Sequence, residues 1–153
     1  MVQQAPKSLA DLYEADETAW LEATADFVRE SRWDQVDSQL LAEYLTDMAK
    51  RDRREVDSRL IVLIVHVLKW IHQPGRRTGS WRATIIEQRQ ELEGLVGWGV
   101  LRNHAEAVLP DAYLKAVERA AAETGLPDAE FSETCPYTLD QLLAPDLLAE
   151  SEA

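Results

Sequence analysis

The chain has 153 residues with 16 basic and 28 acidic side chains, a formal charge of −12, and enough length for one domain and one core without disulfides or metals. Cys135 stands alone and excludes an internal bridge. The longest apolar run, Leu60 to Ile71, contains His66 and Lys69 and falls short of the roughly 20 residues that a membrane span needs. With no apolar run between Met1 and Ser8 to serve as a signal peptide, these features predict a cytoplasmic protein with no membrane association.

In chain order, apolar residues recur at helical spacing, and no segment alternates over the length of a strand, so the fold class is all-α. A short turn at Ser8 to Tyr13 precedes a helix from about Asp16 to Glu30, with Trp20, Thr24, Phe27 and Val28 on one side. Asp37 is placed to cap a second helix whose inner face is Leu40, Leu41, Tyr44, Leu45 and Met48. A central helix then runs over 53–73, without Gly or Pro, until Pro74-Gly75 stops it. The Ile- and Val-rich stretch from Leu60 to Leu68 would suit a buried strand, but the chain holds no second run to pair with it. Ser80 can cap a helix to about Glu93, with Trp81, Ile85 and Leu92 inward, ending in a glycine-rich corner around Trp98. Pro110 at a first helical position and Gly125 past the end bracket the next helix, with Tyr113, Val117, Ala120 and Ala121 inward. Thr138-Leu139-Asp140-Gln141 reads as a capping box that opens a last short helix, and fraying is expected from about Ala149. The expectation is a compact bundle of about five to seven helices around 53–73, in a single domain over 1–153.

The central helix carries an unusual polar set. At about 100° per residue, His66, Lys69, Trp70 and Gln73 share an arc of about 100°, extended backwards by Glu55 and Arg59. Gln88 and Arg89 lie on or beside the apolar stripe of the following helix. Charged groups near a buried side require partners. Glu43 and Asp47, four residues apart on the second helix, are the candidates to meet Lys69 or Arg89. The same residues define a candidate pocket for an anion or a partner's carboxylate. His66 beside Glu43 would be an acid–base pair, yet no nucleophile motif accompanies it. His66 and His72 lie about 120° apart around a helix, which does not suit a metal, and His104 and Cys135 read as a surface and a small core residue. Arg76, Arg77 and Ser80, in a loop before a helix N-terminus, form a candidate anion-binding loop without the ending of a P-loop. No cofactor is implied.

Several ordered segments together resemble the bacterial Domain of Unknown Function 29 family, over residues 12–148. They are Leu12-Tyr13-Glu14 with Asp16 and Trp20; Asp37 with Leu41 and Glu43; and His66-Val67-Leu68-Lys69-Trp70 with Gln73-Pro74. Ser80-Trp81, Gln88-Arg89, Tyr113 with Ala116, Glu123-Thr124-Gly125-Leu126, and Cys135-Pro136 with Leu142-Leu143 complete the set. The resemblance implies an all-α fold found largely in bacteria, and it supplies no activity and no catalytic residues. Tyr44 stands where a second acid is usual, and Leu147 and Ala149 replace an expected Phe and Pro.

The charge balance is uneven: residues 51–90 hold nine basic and four acidic side chains between two acidic flanks. The acidic whole argues against nucleic acid as a partner. Without a catalytic motif, the expectation is a protein-interaction or regulatory module rather than an enzyme. Trp33 and Trp98, outside the clear helical faces, are its candidate exposed anchors for an unidentified protein partner. The rival is a small-molecule or anion-binding protein or enzyme built around His66 and Lys69.

Overall fold

A computed structural model describes residues 8–149. The segment before Ser8 and the expected fraying beyond Ala149 lie outside the described residues. These contain six α-helices and no strand: α1 (Leu9–Ala15), α2 (Glu17–Arg29), α3 (Ser38–His72), α4 (Gly79–Val96), α5 (Gly99–Thr124) and α6 (Leu139–Leu143). Short 3-10 turns occupy Trp33–Gln35, Pro74–Arg76 and Asp128–Glu130. None of these helices is long and apolar enough to cross a membrane. Contacts divide the chain into two units, residues 1–50 and 51–153, with the break inside α3.

Local chemistry sets the helix ends. Ser8 caps α1, Asp16 accepts from Ala19 N–H at 3.0 Å to cap α2, and Asp37 accepts from Leu40 N–H at 3.1 Å at the start of α3. Thr138 and Gln141 form both halves of the capping box of α6. Gly125 takes a left-handed φ of 74° after α5, a conformation that glycine alone adopts at little cost.

Three boundaries differ from expectation. The two helices expected over 37–48 and 53–73 are one helix of 35 residues. The apolar stripe lapses between Ala49 and Glu55, but a lapse in burial does not break a helix made of charged, straight-chain helix formers with no Gly or Pro. The helix expected from Pro110 begins at Gly99 instead, with Pro110 inside it on an exposed position. There the ring removes one N–H from the ladder without burying the orphaned acceptor. Thr78, rather than Ser80, caps α4, accepting from Trp81 N–H at 3.2 Å.

In the first unit, Trp20 is fully buried, with Tyr13 edge-on at 4.8 Å and Tyr44 at 6.0 Å. Leu45, expected inward, is 58% exposed, and Val28 is 37% exposed. Two helices and a short third do not supply enough surface to cover the whole apolar face of α2 and the start of α3.

The second unit holds the larger core. Val56, Leu60, Leu63, Ile64 and Val67 of α3 are completely buried, with Leu92 and Val96 of α4 and Leu142 of α6. Ala105, Ala112, Ala116 and Ala120 line the buried face of α5, where small side chains permit close approach. Each fully buried Leu, Ile or Val contributes roughly 1.5–3 kcal/mol, so this half of α3 is the central element of its unit.

Candidate functional site

The polar stripe of α3 lies on the second unit's central helix, and each of its members meets a specific neighbour. Lys69 Nζ donates to Glu123 Oε2 of α5 at 2.7 Å and sits 4.4 Å from the centre of the Trp81 ring of α4. One ammonium thus joins three helices. Gln73 Nε2 donates to the Thr124 carbonyl at 3.5 Å, at the end of α5. Carbonyls only accept, so the 2.8 Å contact between His66 Nδ1 and the Val62 carbonyl places the proton on Nδ1. Trp70 is buried, and Arg77 both donates from Nε to its carbonyl at 2.8 Å and stacks its guanidinium 4.8 Å from the ring. Arg77 therefore satisfies one of the orphan acceptors at the C-terminus of α3.

The acids meeting these cations are not those expected. Glu43 and Asp47 belong to the first unit, and Lys69 and His66 to the second. Lys69 finds Glu123 instead. The Tyr13 hydroxyl pKa is raised by loss of solvent first and then by the negative charges of Glu17, Asp47 and Glu43. Arg89 donates to the Ala144 carbonyl at 3.4 Å, while its Nε is buried without a partner. It lines a small hollow of about 160 Å³ with Ile85, Leu147 and Leu148.

Upstream on α3, Arg59 is a second junction. Its Nε donates to Glu55 at 2.9 Å, a terminal nitrogen approaches Glu91 at 3.6 Å, and the other donates to Gln88 Oε1 at 3.2 Å. His104, expected at the surface, is largely covered: its Nε2 meets Asp57 Oδ1 at 2.7 Å across α5 and α3. In the candidate anion loop, Arg77 is turned onto Trp70, while Arg76 and Ser80 are exposed. Cys135 is half-buried and donates to the Tyr137 carbonyl at 3.3 Å. Burial holds its thiol pKa above the ordinary range.

Three of the segments quoted in the sequence, around His66–Gln73, Ser80-Trp81 and Glu123-Thr124, therefore converge at one point, where Lys69 is enclosed by an acid and an indole. The fold and this junction define an all-α helical protein whose most distinctive polar group holds its own helices together. The chain belongs to the family described as Domain of unknown function DUF29, whose model matches residues 12–148. No curated protein and no solved structure matches it.

Two further features were not legible as sites. One is an apolar hollow of about 520 Å³ in the first unit, lined by Leu21, Thr24, Ala25 and Val28 of α2 and Leu41, Tyr44 and Leu45 of α3. Thr24 is 3% exposed and its hydroxyl has no hydrogen-bond partner. The other is a hollow of about 470 Å³ in the second unit, lined by Arg51, Arg54, Glu55, Ser58, Arg59, Val62 and Gln88. The exposure of Leu45 is a tertiary outcome that the amphipathic pattern alone does not carry. The spacing of Arg51, Arg54 and Ser58 on one helix face was a signal in the sequence.

Proposed function

We propose that this protein is a protein-interaction module whose first unit takes a basic amphipathic helix of a partner in the hollow between α2 and the start of α3. The observation that carries this reading is the exposure of Leu45 and Val28 in a largely apolar hollow. Apolar surface left in water is a cost that an occupant removes. Charge selects the occupant: the first fifty residues hold eleven acidic against four basic side chains, so a helix with a Leu-rich stripe and lysines on its flanks complements the rim. Trp33 and Trp98, 63% and 87% exposed, supply further aromatic surface of the kind that anchors partners. The polar pocket considered around His66 and Lys69 is less favoured, because Glu123 and Trp81 already occupy the ammonium.

The test uses the whole chain and two fluorescent helical peptides with the same leucine stripe, one flanked by lysines and one by glutamates. Binding followed by anisotropy should favour the lysine peptide. Leu45→Gln and Val28→Gln, which leave the charge intact, should each weaken it by about tenfold, roughly 1.4 kcal/mol, with unchanged helical circular dichroism. Equal binding by the two peptides, or by the parent and both variants, would overturn the reading.

A further inference from the structure

The hollow at Arg51, Arg54, Ser58 and Gln88 is separate from the first unit's apolar groove and from the Lys69 junction. Arg51 and Arg54 are exposed, three residues apart on α3, and make no hydrogen bond or ion pair with the described residues. That is notable in a chain of charge −12, where acids outnumber cations and most other cations of this stretch, Arg59 and Lys69 among them, are engaged. Ser58, four residues after Arg54, lies on the same helix face and adds a hydroxyl. Gln88 closes the opposite side from α4. Its Oε1 is taken by Arg59 at 3.2 Å, so the amide group left for the hollow is the NH₂ donor. The one carboxylate in the lining, Glu55, is bound by Arg59 Nε at 2.9 Å. Free donors thus line the hollow from two helices, two of them carrying full positive charge, while the Gln88 carbonyl and one oxygen of Glu55 are held by Arg59.

We infer that this hollow binds a small phosphorylated molecule, with Arg51 and Arg54 gripping the phosphate and Ser58 and Gln88 donating hydrogen bonds to its oxygens. Guanidinium groups suit this ligand because their planar fork presents paired N–H donors to two oxygens of one phosphate. Val62 and the aliphatic stems of the arginines give the non-phosphate part an apolar floor. A formal charge of −12 disfavours long polyanions, whose binding needs basic surface well beyond one site.

Pyrophosphate is the probe, titrated into the full chain at constant ionic strength while the Nε–Hε resonances of the arginines are followed by NMR. The expected result is a saturating shift of Arg51 and Arg54 and none of Arg76. Arg51→Gln with Arg54→Gln should weaken binding by about tenfold or more. Gln88→Glu is the sharper variant. It keeps and strengthens the acceptor for Arg59, so the fold is retained, yet it puts a negative charge where the NH₂ donor stood; binding should fall by about tenfold with no loss of melting temperature. Linear, non-saturating shifts, an equal loss on Arg76→Gln, or unchanged binding by Gln88→Glu would each overturn the assignment.

Discussion

The Lys69–Glu123 pair predicts an asymmetry between its two halves. Lys69 is 12% exposed and Glu123 50% exposed, so removing one is not equivalent to removing the other. In Lys69→Met the stem stays against Trp81, and the abandoned carboxylate is hydrated where it stands. The loss is that of a largely screened ion pair, about 0–1 kcal/mol, plus about 0.5–1 kcal/mol of cation–π attraction, partly offset by the methionine. In Glu123→Ala the ammonium remains enclosed, with one indole face and no acid, and the cost is that of a buried charged donor left unsatisfied, about 2–3 kcal/mol. At about 2–4 °C per kcal/mol for a chain of this size, Glu123→Ala should lower the melting temperature by roughly 4–12 °C and Lys69→Met by less. The double variant should resemble Lys69→Met alone, because without the ammonium the acid has no role, giving a coupling energy of about 2–3 kcal/mol, the whole Glu123→Ala loss. Urea unfolding of all four proteins, followed by far-ultraviolet circular dichroism, measures this. A Lys69→Met loss equal to or greater than that of Glu123→Ala, or a coupling below about 0.3 kcal/mol, would refute the view of Lys69 as a buried charge held by its acid.

Two other outcomes follow from the second unit. Gly125→Ala places a Cβ on a φ of 74° in open space, so its cost is backbone strain alone; a loss of about 1 kcal/mol is expected in the same unfolding assay, and no loss would remove the left-handed cap from the account of where α5 ends. Burial raises the pKa of Cys135, and burial followed by the Cys135 charge raises those of Tyr113 and Tyr137. In the unfolded chain these groups ionise at their ordinary, lower values. Their contribution is therefore complete below the ordinary thiol and phenol range and is lost as pH rises through the raised folded values. Urea midpoints across alkaline pH should fall in that window, and Cys135→Ala should make the fall shallower; a midpoint rising with pH there would contradict the burial of this cluster.

Local chemistry was readable in the sequence where it acts over one helical turn. Asp37, the Thr138–Gln141 box and Gly125 were placed correctly because a cap depends on residues three or four positions away, whereas Thr78 caps α4 in place of the expected Ser80. The continuity of α3 was missed because the apolar stripe reports what a helix buries rather than whether it is helical. The true start of α5 was visible in Leu101, Ala105 and Leu109, at four-residue spacing, but Pro110 supplied a stronger and misleading boundary. Glu123 as the partner of Lys69 was out of reach: the two are 54 residues apart, and one acid among 28 is selected only by how α5 packs on α3.

The charge pattern gained most from the structure. A basic segment between acidic flanks suggests general neutralisation, but within the second unit the pairing is selective. Lys69 and Arg59 lie against the neighbouring helices, where leaving a charge unpaired costs most, and they receive Glu123, Glu55 and Glu91. Arg51 and Arg54 lie about one to two turns upstream of Arg59, where water screens them and folding exerts no comparable demand. Stability accounts for the first pair of cations and leaves the second unexplained. Two arginines one turn apart, unpaired among the described residues and beside a glutamine whose acceptor is already taken, are better explained by an anion that comes and goes than by the requirements of the fold.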